Sequence, residues 1–141
     1  MRKLKKLLSM PAGDWVLLLR AASCLLVCRV GVYLLRFDRL QWWATRAGRI
    51  NRSLPISKLI WAVMIGARVL PNSTCLVRAL AASRLLAQNG YKSTIHIGVK
   101  RTDGVFEAHA WIEYGGHVIL GSHEAPYFTR LYSWESKPGG L

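Results

Sequence analysis

The chain has 141 residues, of which 52% are hydrophobic and 19% charged. That is enough apolar material for one packed core and too much for a disordered tail, so a single domain over 1–141 is expected. Lysines and arginines number 20 against 7 acidic residues, a formal charge of +13, an excess that speaks to partners (acidic peptides, an acidic protein, anionic lipid or nucleic acid) and not to fold.

Three cysteines make no secreted disulfide framework, and a reducing cytoplasm is the expected compartment. Residues 1–10 are basic and rich in leucine. They read first as a solvated helical end, with peripheral contact to an anionic inner-membrane face as the alternative. The apolar stretch from Trp15 to Leu35 is interrupted by Arg20 and Arg29. Each would cost about 2.5–3.5 kcal/mol at a bilayer centre, and no small-residue cleavage site follows. A helix from about Asp14 to Arg36 is therefore expected to be buried or amphipathic, with Leu18, Ala21, Ala22, Leu25, Leu26, Val32 and Tyr33 on its core face. Cys24 and Cys28 share a face by their spacing of four; with no further Cys or His nearby to complete a metal site, they read as core.

Phe37 to Ser53 reads as a polar and aromatic connection, anchored by Trp42 and Trp43 and carrying Arg46, Arg49 and Arg52. No recognition-helix pattern surrounds these bases, so specific nucleic-acid binding is not expected. Pro55 suits the first turn of a helix from Ile56 to about Val69, bearing Leu59, Ile60, Val63 and Met64, and Pro71 stops it. A further helix is expected over Thr74 to Gln88, capped by Asn72 or Ser73, burying Leu76, Leu80, Leu85 and Leu86, with Gly90 as its left-handed stop. Three strands follow: Ser93 to Arg101, then Val105 to Tyr114 beyond a Thr102-Asp103-Gly104 turn, then His117 to Leu120 beyond Gly115-Gly116. The tail past Gly121 reads as irregular, with Pro138-Gly-Gly frayed. The fold class is α+β, with a helical half over 1–70, then the cysteine helix, a small three-stranded antiparallel sheet and a tail over 71–141.

Cys75 falls in the first turn of its helix, where the helix dipole favours a thiolate. About thirty residues later comes His109, on a strand whose parity groups it with Glu107, Trp111 and Glu113. The more apolar opposite face, Phe106, Ala108, Ala110, Ile112 and Tyr114, suits the core. Cysteine on a helix, then histidine on a strand, is the order of papain-like and transglutaminase-like enzymes. A thiolate with a histidine in reach is an activated nucleophile. His96, His117 and His123 have no metal spacing and read as surface or internally satisfied. No cofactor or metal is expected.

The run Thr74-Cys-Leu-Val-Arg-Ala-Leu, then Gly90, Ile97-Gly-Val, Ala108-His-Ala-Trp-Ile-Glu, Gly115-Gly116 and Tyr127-Phe-Thr-Arg-Leu resembles the lasso-peptide leader peptidases. These are the transglutaminase-like B proteins of lasso biosynthesis, and the likeness covers about residues 70 to 132. It implies a transglutaminase-like, papain-like cysteine peptidase core that removes the leader of a ribosomally made precursor. It also implies Cys75 as nucleophile and His109 as general base. Fused members carry a leader-recognition domain before the peptidase. This chain has no room for one, so a stand-alone peptidase is implied, working with the precursor leader peptide, a separate small leader-recognition protein and an ATP-dependent lasso cyclase. The family's triad often has an aspartate about a dozen residues after the histidine. Here that place is Gly121. An orienting group is still needed to fix the imidazole tautomer. Glu124 is the nearest downstream acid; Ser122, Glu107, Glu113, a backbone carbonyl or a partner's group are the alternatives. An acyltransferase with the same nucleophile, or a non-catalytic peptide-binding module of the same fold, are the rival readings.

Overall fold

Apolar spacing on the longer helices and alternation on the first β-hairpin decide most of the architecture. The computed structural model describes residues 9, 11–46, 54–70, 73–122 and 125–136. The expectations for the basic lead-in, for Arg49 and Arg52, for Pro71 and Asn72, for His123 and Glu124, and for Pro138-Gly-Gly lie outside the described residues.

The first helix, α1 (Ala12–Leu34), buries Leu17, Leu18, Ala21, Cys24, Leu25 and Cys28. Leu26, Val32 and Tyr33 were expected on that buried face; they are exposed. Both sides of α1 are apolar, so periodicity alone does not say which side meets the core. The expected connection after α1 is in part a helix, α2 (Phe37–Thr45). Its charged and aromatic composition hides a short core contact, the fully buried pair Leu40 and Ala44 one turn apart. Helix α3 (Ile56–Val69) keeps its expected bounds and buries Leu59, Ala62 and Val63.

Helix α4 (Cys75–Gln88) is the centre of the domain. Nine of its 14 residues are buried, four of them alanines, so α1, α2, α3 and the sheet can all close on it. Asn89 secures its far end. The side chain donates to Leu85 O at 2.7 Å and accepts from Leu54 N at 3.1 Å, tying the entry of α3 to the exit of α4. Gly90 then turns the chain out at φ 85°, with Tyr91 N donating to Leu86 O at 2.9 Å.

The strands β1 (Thr94–Thr102), β2 (Val105–Tyr114), β3 (His117–Leu120) and β4 (Thr129–Glu135) form one antiparallel sheet in the order β3-β2-β1-β4. Asp103 and Gly104 both take positive φ in the β1–β2 turn, as a two-residue type I′ hairpin requires. Ile95, Ala110, Ile112 and Leu120 are buried in the shared core with the helices. Strand β4 corrects the expectation of an irregular tail and a three-stranded sheet. It pairs with β1, far away in sequence, through a register shift at Ile97/Gly98. Six of its seven residues are exposed, so it carries little of the apolar alternation that marks a strand. Trp134 packs on the core. Ser93 and Ser136 clamp the strand's end, with Ser93 N donating to Ser136 Oγ and Ser136 N to Ser93 O, both at 2.8 Å. The result is α+β, helices first and a small antiparallel sheet second.

Candidate active site

Thr74, and not Ser73 as expected, is the N-cap of α4. Its φ of −72° and ψ of 167° are extended, and its hydroxyl accepts from Val77 N at 3.3 Å. Ser73 instead donates to Leu70 O at 2.9 Å, fastening the start of α4 to the end of α3. Cys75 is thereby the first helical residue, beside N–H groups that have no partner within the helix. It is half-buried and lines a cavity of about 290 Å³ together with Ile60, Met64, Arg78, His109, Gly121 and Ser122 among others.

The other two cysteines are of a different kind. Cys24 and Cys28 are buried in the helical core. Burial pushes both thiols up, Cys28 to about 12, with Cys24 beside it adding to the rise and Arg84 opposing it. Held as thiols, they are poor nucleophiles. Among the described residues no cluster of His, Cys, Asp or Glu could hold a metal ion.

His109 sits on β2 opposite Gly98 of β1. Its ring stacks on Trp111 at 5.9 Å between centroids and tilts against Phe128 at 5.2 Å. Gly98 lets this happen, since a Cβ there would stand 2.8 Å from both the Trp111 ring and Thr129 O. His109 and Trp111, on the face of β2 opposite the one expected to be core, are themselves buried. Strand β3 pairs with β2 only at Ile112, Glu113 and Tyr114. Beside His109 and Ala110 runs the turn at Gly121, and there the cavity takes in residues from both faces of β2.

The imidazole is oriented by that turn. Nε2 lies 3.4 Å from Gly121 O. A carbonyl only accepts, so in this long contact the ring nitrogen is the donor. Gly121 has φ 80°, and a Cβ there would stand 2.9 Å from His109 Nε2. Gly121 thus supplies a main-chain acceptor beside the ring.

Two alternative orienting groups are engaged elsewhere. Glu113 Oε2 meets His96 Nε2 at 2.6 Å, and Glu107 pairs with Lys100 at 3.5 Å. His96 also bonds Ser133 Oγ through Nδ1 at 2.6 Å. It is one of the internally satisfied histidines that the sequence suggested, and its ring lies 5.6 Å from that of Trp111. Ser122 lines the cavity.

Sequence reasoning passed over Arg78. It lies one turn beyond Cys75, lines the cavity, and has a buried Nε with no hydrogen-bond partner among the described residues. Its spacing of three from the cysteine was the available signal. The cavity therefore offers a thiol at a helix start, an imidazole, an unused cationic donor and apolar walls. That set suits attack on a carbonyl of a bound chain.

A comparison with family models matches residues 18–133 to the transglutaminase-like superfamily. The match takes in both Cys75 and His109. No curated protein and no solved structure matches the chain.

Proposed function

This chain belongs to the transglutaminase-like superfamily, and we propose that within it the chain is a cysteine peptidase that removes the leader of a ribosomally made lasso-peptide precursor. The superfamily includes cysteine peptidases and acyltransferases. The observation that carries the reading is one cavity lined by both Cys75, at a helix start, and His109. The run of motifs from Thr74 to Leu131 that resembles the lasso leader peptidases supports the choice of substrate.

In this mechanism His109 Nδ1 takes the Cys75 thiol proton, and the sulfur attacks the carbonyl carbon at the end of the leader. The backbone N–H of Cys75 faces the resulting oxyanion. The C–N bond breaks, and Nδ1–H gives its proton to the departing amine of the core peptide. The leader is left as a thioester on Cys75. Water, deprotonated by Nδ1, then attacks the thioester; the C–S bond breaks, Nδ1–H returns its proton to the Cys75 sulfur, and the leader leaves as a carboxylic acid that ionises in the solvent. The Gly121 carbonyl holds the ring and its tautomer through both steps. Arg78 offers its unused Nε–H to an acceptor on the bound peptide. A cavity of about 290 Å³ holds a few side chains, not a leader. A separate leader-recognition protein would therefore supply most of the affinity by raising the local concentration of the scissile bond. The lasso cyclase would consume the released core peptide.

The test is mass spectrometry of the precursor incubated with this chain, with and without the leader-recognition protein. The expected products are two fragments whose masses sum to the precursor plus one water, formed at least about tenfold faster with the partner and absent with Cys75→Ala. Cleavage by a folded Cys75→Ala variant would sink the peptidase reading. A leader joined to an added amine, without the hydrolysis product, would make the chain an acyltransferase.

A further inference from the structure

We propose that the outward face of α1 binds the surface of an anionic bilayer, with the helix lying in the plane of the headgroups. The helix has two apolar faces. One is built into the core through Leu17, Leu18, Ala21, Leu25 and Cys28. The other is open. Trp15, Leu19, Leu26, Val30 and Tyr33 recur at spacings of three, four and seven, and range from 39% exposed at Trp15 to 82% at Tyr33. At about 100° per residue they form one line down the helix, and Val16 and Val27 widen it. The stripe holds no charged residue. Its internal polar side chain, Ser23, already donates to Leu19 O at 2.8 Å and so asks nothing of a surface that covers it.

Three features favour lipid as the occupant. A protein interface carries roughly one hydrogen bond per 100–200 Å², and this stripe offers almost no group to make one; a bilayer asks for none. Cations rim the stripe, with Arg20 and Arg29 flanking it and Arg36 just beyond its end. Four of the eight residues at the chain's start, Arg2, Lys3, Lys5 and Lys6, are basic as well. Apolar residues at acyl depth with cations at headgroup depth match an anionic surface. The helix is long and apolar enough to cross a membrane, but crossing would strip its inner face from the core and break the Arg20 bond to Gln88 Oε1 at 2.9 Å. It therefore lies on the bilayer and does not span it.

The test is co-sedimentation of the full chain with vesicles of phosphatidylcholine alone and of phosphatidylcholine mixed with phosphatidylglycerol, at low and high salt. Binding should be at least about tenfold tighter to the anionic vesicles and should weaken with salt. The Leu19→Glu/Leu26→Glu pair should lose at least about tenfold of that binding with an unchanged thermal midpoint, since both positions are exposed. The milder Leu19→Gln/Leu26→Gln pair, read the same way, covers a charge-induced folding defect. Equal affinity for both vesicle types, or undiminished binding by the folded variants, would overturn the proposal. So would variants that keep vesicle binding but lose the response to the leader-recognition protein, which would make the stripe a protein interface.

Discussion

His109 has the rings of Trp111 and Phe128 beside it and Gly121 O near its Nε2. That Cys75 and His109 come to one cavity was legible in the sequence, because a capped helix start and an alternating strand each fix a side chain's place. The acceptor was not. A backbone carbonyl was one of several alternatives there, and a main-chain group has no residue type by which a sequence could single it out. In Gly121→Ala the new methyl would press on Nε2, and the positive φ would be strained by about 1–2 kcal/mol. The variant should fold, and its kcat for leader cleavage should fall roughly 10- to 100-fold with KM little changed, since a small misplacement of a catalytic group has that effect. Wild-type kcat in Gly121→Ala would show that this contact does not position the ring.

At the scale of elements, α3, α4, β1, β2 and β3 were readable because each repeats an apolar residue at its own period. Helix α2 and strand β4 were not, for different reasons. The core contact of α2 is Leu40 and Ala44 among charges and tryptophans. Strand β4 is an edge strand whose partner lies more than thirty residues back, and it buries almost nothing that a pattern could reveal. The cysteine pair of α1 was read correctly as core, and its burial has a measurable consequence. Folding raises the Cys28 thiol from the ordinary 9.0 to about 12. Between those values the folded chain keeps a proton that the unfolded chain has lost. Stability from this group is thus full below about pH 9 and declines as pH rises toward 12, by up to about 1.4 kcal/mol per pH unit. Urea unfolding of wild type and Cys28→Ala at about pH 8 and about pH 10 should show a smaller alkaline loss in the variant. Equal losses would mean that the Cys28 proton is not linked to folding.

Over the whole molecule, α4 delivers Cys75 and the sheet delivers His109, and α4 packs against both the other helices and the sheet. The order of helices and strands made that division visible. It could not show which face of α1 the core uses, since Leu26 and Tyr33 fit a buried stripe as well as an open one. The claim that depends on the entire fold is that Cys75, alone of the three cysteines, is an activated nucleophile served by His109. Iodoacetamide labelling of the native chain near neutral pH, followed by peptide mass spectrometry, measures this for wild type and His109→Ala side by side. Label is expected on Cys75, with Cys24 and Cys28 unmodified, and its rate should fall roughly tenfold or more in His109→Ala. A Cys75 that reacts no faster than the buried pair, or at the same rate without His109, would contradict the assignment.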